Sequence, residues 1–116
     1  MKKLLNYING EFKNPIDNEW IDNYNPANGK VYSLIPNSTE ADVEDAYQAA
    51  AHAFPSWSNT TIDERSKILS KIASLIEENL EEFVAAESMD NGKPLSLARA
   101  VDIPRASSNF RFFANA

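Results

Sequence analysis

From residue 38 onward the apolar positions repeat at helical spacing; before it they come in short runs broken by turns. Val43, Ala46, Tyr47, Ala50, Ala53 and Phe54 form the first helical stripe, opened by Thr39 with Asp42 three residues on as its capping partner. Pro55 is expected to stop that helix and leave Ser56 and Trp57 as the connection. Thr61-x-x-Glu64 is a capping box for a second helix, with Ile62, Leu69, Ile72, Ala73, Ile76, Leu80, Phe83 and Val84 on its apolar face. Asn79-x-x-Glu82 is a further capping pattern, so this run reads as one long helix or as two with a bend near Asn79. Asn91-Gly92 is a helix stop. Pro94 then precedes a last helix, expected over roughly residues 95–115.

The first 37 residues have another texture. "YINGEFK" contains Asn9-Gly10, a strong hairpin signal. "EWIDNYNP" sets Trp20, Asp22 and Tyr24 against Ile21 and Asn23. "NPANGKVYSLIP" predicts a turn at residues 25–29 and a strand over residues 30–35 that ends at Pro36. Two or three short strands are expected, and they need something to lie on. The fold class is thus α+β, mostly α: an N-terminal β-hairpin and short strand followed by three or four helices. Residues 1–116 are read as a single, partial N-terminal domain, β-rich over 1–37 and helical over 38–116.

The last helix poses two questions. Pro104 lies within "AVDIPRASSNFRFF" with Arg105 directly behind it. Either the proline kinks a helix and aims Arg105, or it stands near a helix start with "LSLARAVD" as a separate turn. Phe110, Phe112 and Phe113 surround one turn. Apolar residues on several sides call for cover on several sides. That surplus leads us to expect a polypeptide that continues in its natural form.

Composition narrows the chemistry. The chain is acidic, with a formal net charge of −6, and has no basic stripe, which argues against nucleic acid as a partner. No apolar run approaches membrane-spanning length, and "MKKLLNYING" is too short in apolar residues for a signal peptide, so a cytoplasmic location and no membrane partner are expected. There is no cysteine, hence no thiolate nucleophile. The three glycines form no G-x-G-x-x-G pattern. The chain therefore offers no nucleophile–base pair of its own. The single histidine, His52, is read as a helix-surface residue. Trp20, Phe54 and Trp57 are read as core or staple residues rather than a ligand cage. Glu77, Glu78, Glu81 and Glu82 are read as a solvated helix face rather than a metal site.

Five segments, in order and spacing, carry a resemblance: "YINGEF", "NPANGKVY", "DVEDAYQAAAHAFPSWSN", "ERSKILSKIASLIEENLEEFVAAESMDNGKP" and "NFRFFA". Over residues 7–114 they resemble the N-terminal quarter of NAD(P)-dependent aldehyde dehydrogenases. "IPNS", "AFPSWS", "EEFVAAES" and "DIPR…NFRFFA" look most like the branch acting on 2-aminomuconate and 2-hydroxymuconate semialdehydes. The resemblance implies a β-hairpin, a further strand and a helical layer leading into a dinucleotide-binding domain. It also implies that the catalytic cysteine, the general-base glutamate, the oxyanion asparagine and the residues that hold NAD or NADP lie beyond residue 116.

For this chain the resemblance implies two site roles. Arg105 matches a position lining the substrate tunnel, where a guanidinium would hold the carboxylate of a muconic semialdehyde. The competing reading is a solvated arginine or one paired with Asp102 at i−3. Asp90, with the main-chain carbonyls of Asn23 and Tyr24, matches a monovalent-cation site; the competing reading is a helix-terminating turn at Asp90-Asn91-Gly92. The leading functional expectation is a segment of an aldehyde dehydrogenase, inactive alone, whose partners are the remainder of its chain and further copies in a homo-oligomer. The alternatives are a stand-alone, non-catalytic interaction module and an enzyme for neutral aldehydes with Arg105 on its surface.

Overall fold

The computed structural model describes residues 1–116. Five strands precede the helices: β1 (Lys2–Lys3), β2 (Asn6–Ile8), β3 (Glu11–Lys13), β4 (Trp20–Asn25) and β5 (Lys30–Pro36). The helices are α1 (Glu40–Ser58), α2 (Ile62–Glu78), α3 (Leu80–Asn91), α4 (Leu95–Leu97) and α5 (Ile103–Ala114), with a π-helical segment, Ala98–Asp102, joining the last two. The α+β class stands as expected. The five strands exceed the two or three expected: both hairpin arms and both β4 and β5 form, and the two-residue β1 pairs in parallel with β5. A pair that short leaves no periodicity to read.

The contacts group into two units, Met1–Asn59 and Thr60–Ala116. In the first, Asn9 and Gly10 both take positive φ, 55° and 78°, and close the β2–β3 hairpin as a two-residue turn. Both central residues of a type I′ turn need that conformation, which asparagine and glycine accept at least cost. β5 lies between β1 and β4. The β4–β5 register shifts between Asn23 and Tyr24, a bulge that leaves Tyr32 with no residue opposite. The turn after β4 is closed by Gly29 N–H donating to the Asn25 carbonyl at 2.8 Å.

Asp42 ties this unit together. It is buried, and its carboxylate accepts from the Thr39 amide at 2.9 Å, as the capping pattern predicted. It also accepts from the Ile16 amide at 3.0 Å, which fastens the loop after β3 to the start of α1. The Thr39 amide does most to hold this carboxyl below its ordinary value; burial opposes it, and the Ile16 amide adds to the lowering. Beyond its first turn α1 buries little. Val43, Tyr47 and Phe54 are 66%, 63% and 64% exposed. Trp57 is also exposed, so the core reading fails for Phe54 and Trp57. Trp20 is half-buried and carries the Lys3 ammonium 4.4 Å from its ring centre.

Two helix ends differ from expectation. α1 runs past Pro55 to Ser58. The proline removes one amide donor, but only a single turn follows it. The Ser56 and Ser58 hydroxyls donate to the Ala53 and Pro55 carbonyls, both at 3.1 Å. The bend at Asn79 is present, but Asn79 does not cap α3. Its side chain turns back and donates to the Leu75 carbonyl at 2.8 Å, closing α2. The Thr61–Glu64 capping box forms as read, with Glu64 N–H to Thr61 Oγ1 at 3.2 Å and Thr61 N–H to Glu64 Oε2 at 2.7 Å.

In the second unit α2 packs along α5. Val84, Ala98 and Ile103 form a small buried cluster with Ile76 and Leu80 against it. Ala73 and Ser107, both small and buried, let helix backbones approach closely. The aromatic surplus of the last helix is on the outside: Phe112 and Phe113 are 68% and 66% exposed.

Two outcomes follow from this packing. Val84→Ala removes two fully buried methyl groups and should lower unfolding stability by about 2 kcal/mol in a urea titration, with Thr61→Ala costing about 1 kcal/mol. Asp42, whose folded value is lowered, contributes stability that is present above its unfolded pKa and lost as pH falls through the folded one. Asp42→Asn should therefore lower Tm at neutral pH and flatten the decline of Tm with acidification; an unchanged acid profile would exclude this role.

Candidate functional site

Pro104 can donate no amide hydrogen to the carboxyl end of the preceding turn, and its ring crowds the Ala100 carbonyl. The chain answers with the π segment. Ile103 N–H donates to the Ala98 carbonyl, five residues back rather than four. The wider turn makes room for the ring, and α5 starts with Pro104 in its first turn. The two expected alternatives thus merge: the helix is continuous from Leu95 to Ala114, and the proline stands at the start of its α-helical second part.

Arg105 follows on an exposed face of α5. The chain holds four arginines. Arg65 donates to the Thr60 carbonyl at 2.7 Å. Arg99 grips Glu81 through Nε and Nη2, both at 2.8 Å. Arg111 grips Glu77 through Nε at 3.0 Å and Nη2 at 2.7 Å. Arg105 alone has no hydrogen bond or ion pair. The paired guanidiniums hold the Glu77 and Glu81 carboxyls below their ordinary values, chiefly through these hydrogen bonds. Glu77 and Glu81 are therefore tethers of the helix pair rather than a merely solvated face. Separations of 34 and 18 residues put those pairs beyond any local pattern in the sequence.

The expected alternative partner of Arg105 is committed elsewhere. Asp102 Oδ1 receives Lys93 Nζ at 2.6 Å. Asp102 Oδ2 is buried and has no hydrogen-bond partner. Neither Lys93 nor this pairing was visible in the sequence; an i, i+9 contact across Pro94 and the π segment has no periodic signature.

The other predicted site residues are placed as follows. Asn23 and Tyr24 flank the β4–β5 bulge of the first unit, where Asn23 Nδ2 donates to Tyr32 Oη at 2.9 Å and to the buried Ser33 hydroxyl at 3.2 Å. Asp90 is the penultimate residue of α3 in the second unit. The turn after it forms as read: Gly92 takes φ 79° and donates to the Ser88 carbonyl at 3.0 Å. Carboxylate and main-chain carbonyl oxygens suit a hard cation. All three glycines sit at positive φ in turns, two between strands and one ending a helix, so none supplies the strand-to-helix cradle that a dinucleotide pyrophosphate needs. His52 is exposed, with Nδ1 2.7 Å from the Gln48 carbonyl, as a surface residue would be. No helix is long and apolar enough to cross a membrane.

Residues 12–116 match the sequence profile described as the aldehyde dehydrogenase family. The chain belongs to that family. It is 51% identical over 112 residues to the 2-aminomuconic semialdehyde dehydrogenase of Homo sapiens, covering 97% of this chain and 23% of that protein. An aldehyde dehydrogenase of Deinococcus radiodurans is 44% identical over 113 residues, 22% of its length. Among solved structures, PnpE of Pseudomonas sp. WBC-3 superposes with a TM-score of 0.94 at 37% identity, over 99% of this chain and 23% of that one. A Burkholderia cenocepacia structure of the same family gives 0.92 at 39% identity, covering 98% of this chain and 23% of the other. This aldehyde dehydrogenase segment thus spans about a quarter of the length of the relatives it matches.

The unequal arginines give a stability test. Arg105→Ala should change unfolding free energy by no more than about 0.5 kcal/mol, as at an exposed site without partners. Arg111→Ala should lower Tm modestly but more than Arg105→Ala does, because it removes the half-exposed fork on Glu77 and the hydrogen bond to Ser74. Equal losses would show that Arg105 is structurally engaged.

Proposed function

We propose that these residues are the N-terminal segment of an NAD(P)-dependent aldehyde dehydrogenase that oxidises a muconic-type semialdehyde to the carboxylate, and that Arg105 receives the carboxylate the substrate already carries. One observation carries the site assignment: Arg105 is the one arginine of this chain left without a partner. A planar guanidinium binds a carboxylate through two charge-assisted hydrogen bonds, and a free, exposed one needs no internal pair broken first. The name of the human relative, a 2-aminomuconic semialdehyde dehydrogenase, supports the substrate class.

In this reading residues 1–116 form one partial domain, and the rest of the chain would hold the dinucleotide, which would supply the hydride acceptor. The segment's own part is to bind and orient substrate. Asp90 and the main-chain carbonyls of Asn23 and Tyr24 hold a monovalent cation in the complete protein. The complete protein is a cytoplasmic homo-oligomer. The segment alone is inactive, since it has no cysteine to attack a carbonyl.

In the full-length enzyme, Arg105→Ala should raise KM for a carboxylate-bearing semialdehyde by about tenfold or more while leaving a neutral aldehyde within about twofold. Equal losses on both substrates would remove Arg105 from the substrate site. Incubated with NAD and a semialdehyde, the 116-residue chain should form no NADH; measurable turnover would overturn its assignment as a non-catalytic piece.

A further inference from the structure

The carboxylate role of Arg105 faces an obstacle three residues upstream. Asp102 and Arg105 are helical neighbours of opposite charge, a spacing at which such side chains attract each other. An aspartate there competes with substrate for the guanidinium and repels an incoming carboxylate. Yet the two do not pair, although Asp102 Oδ2 has no partner and Arg105 has none either. Asp102 Oδ1 is instead held by the Lys93 ammonium at 2.6 Å, with the Asp102 side chain only 22% exposed.

Lys93 is itself held in place. Its amide donates to Asn91 Oδ1 at 2.9 Å, and its carbonyl accepts from the Ser88 hydroxyl at 2.7 Å. Gly92 before it takes the left-handed conformation, and Pro94 after it has φ fixed at −56°. Four local constraints thus aim one lysine at one aspartate. We infer that Lys93 is a positioning residue: by occupying Asp102 it keeps the Arg105 guanidinium free for the substrate carboxylate. The turn Asn91-Gly92-Lys93-Pro94 is then part of the specificity apparatus as well as a helix stop. This rests on the substrate reading of Arg105.

The test uses the full-length enzyme and two substrates, a carboxylate-bearing semialdehyde and a neutral aldehyde. Lys93→Met releases Asp102 toward Arg105 and should raise KM for the acidic substrate about tenfold, with kcat and the neutral KM within about twofold. Adding Asp102→Asn to that variant removes the competitor and should bring the acidic KM back toward the wild-type value. Lys93→Arg, which keeps the charge, should stay near wild type. A parallel rise for both substrates, or a double variant as poor as the single one, overturns the inference while a selective Arg105→Ala effect leaves the substrate reading intact. If Arg105→Ala shows no selectivity, the substrate reading falls and this inference falls with it. Should Lys93→Met not fold, Lys93→Ala, which also strips Oδ1 of its donor, carries the same comparison, a selective rise supporting the inference and a parallel one overturning it.

Discussion

One missing amide hydrogen shapes the second unit. Pro104 can neither donate to Ala100 nor sit comfortably against its carbonyl, so the helix widens by one residue over Ala98–Asp102 before α5 begins. The widened turn lies between α4 and α5, and its ends supply two members of the buried cluster, Ala98 and Ile103. Asp102 closes the π segment and Arg105 lies in the first turn of α5, so the same adjustment positions both charges. π segments of this kind are commonly found at functional sites, because they place side chains where a regular helix would not.

Around that helix the charged residues divide by partner. Arg99 and Arg111 form two-pronged pairs with Glu81 and Glu77 and fasten α5 and the π segment to α2 and α3. These pairs are half-exposed, so their value lies in fixing geometry more than in stability. Lys93 and Asp102 form a third, less exposed pair. With every other arginine committed, an uncommitted Arg105 is a contrast within one molecule rather than a general property of surface arginines.

The first unit is organised around a carboxylate instead. Asp42 takes amide hydrogens from Thr39 and Ile16, joining a helix cap to a distant loop with one side chain. The remainder of α1 leaves Val43, Tyr47 and Phe54 exposed, as α5 leaves Phe112 and Phe113. Both helices leave apolar faces uncovered by these residues, and the chain spans about a quarter of its relatives' length.

Local chemistry was legible in the residues themselves. Asn9-Gly10 dictates a type I′ hairpin, Thr61-x-x-Glu64 a helix start and Gly92 a helix end, because each depends on neighbours within four positions. The helical periods and the family were legible for the same reason, as order and spacing along one chain. Pairings made across the fold were not. Asp42 with Ile16, Lys93 with Asp102 and Arg111 with Glu77 join residues that no period relates. Asn79 and Pro55 show that even local signals are decided by context: a side chain with two possible acceptors chose the helix behind it, and a proline with one turn left to run did not stop it. Sequence determines what each backbone segment prefers; tertiary structure decides which charges meet, since that depends on distances the chain fixes only when folded.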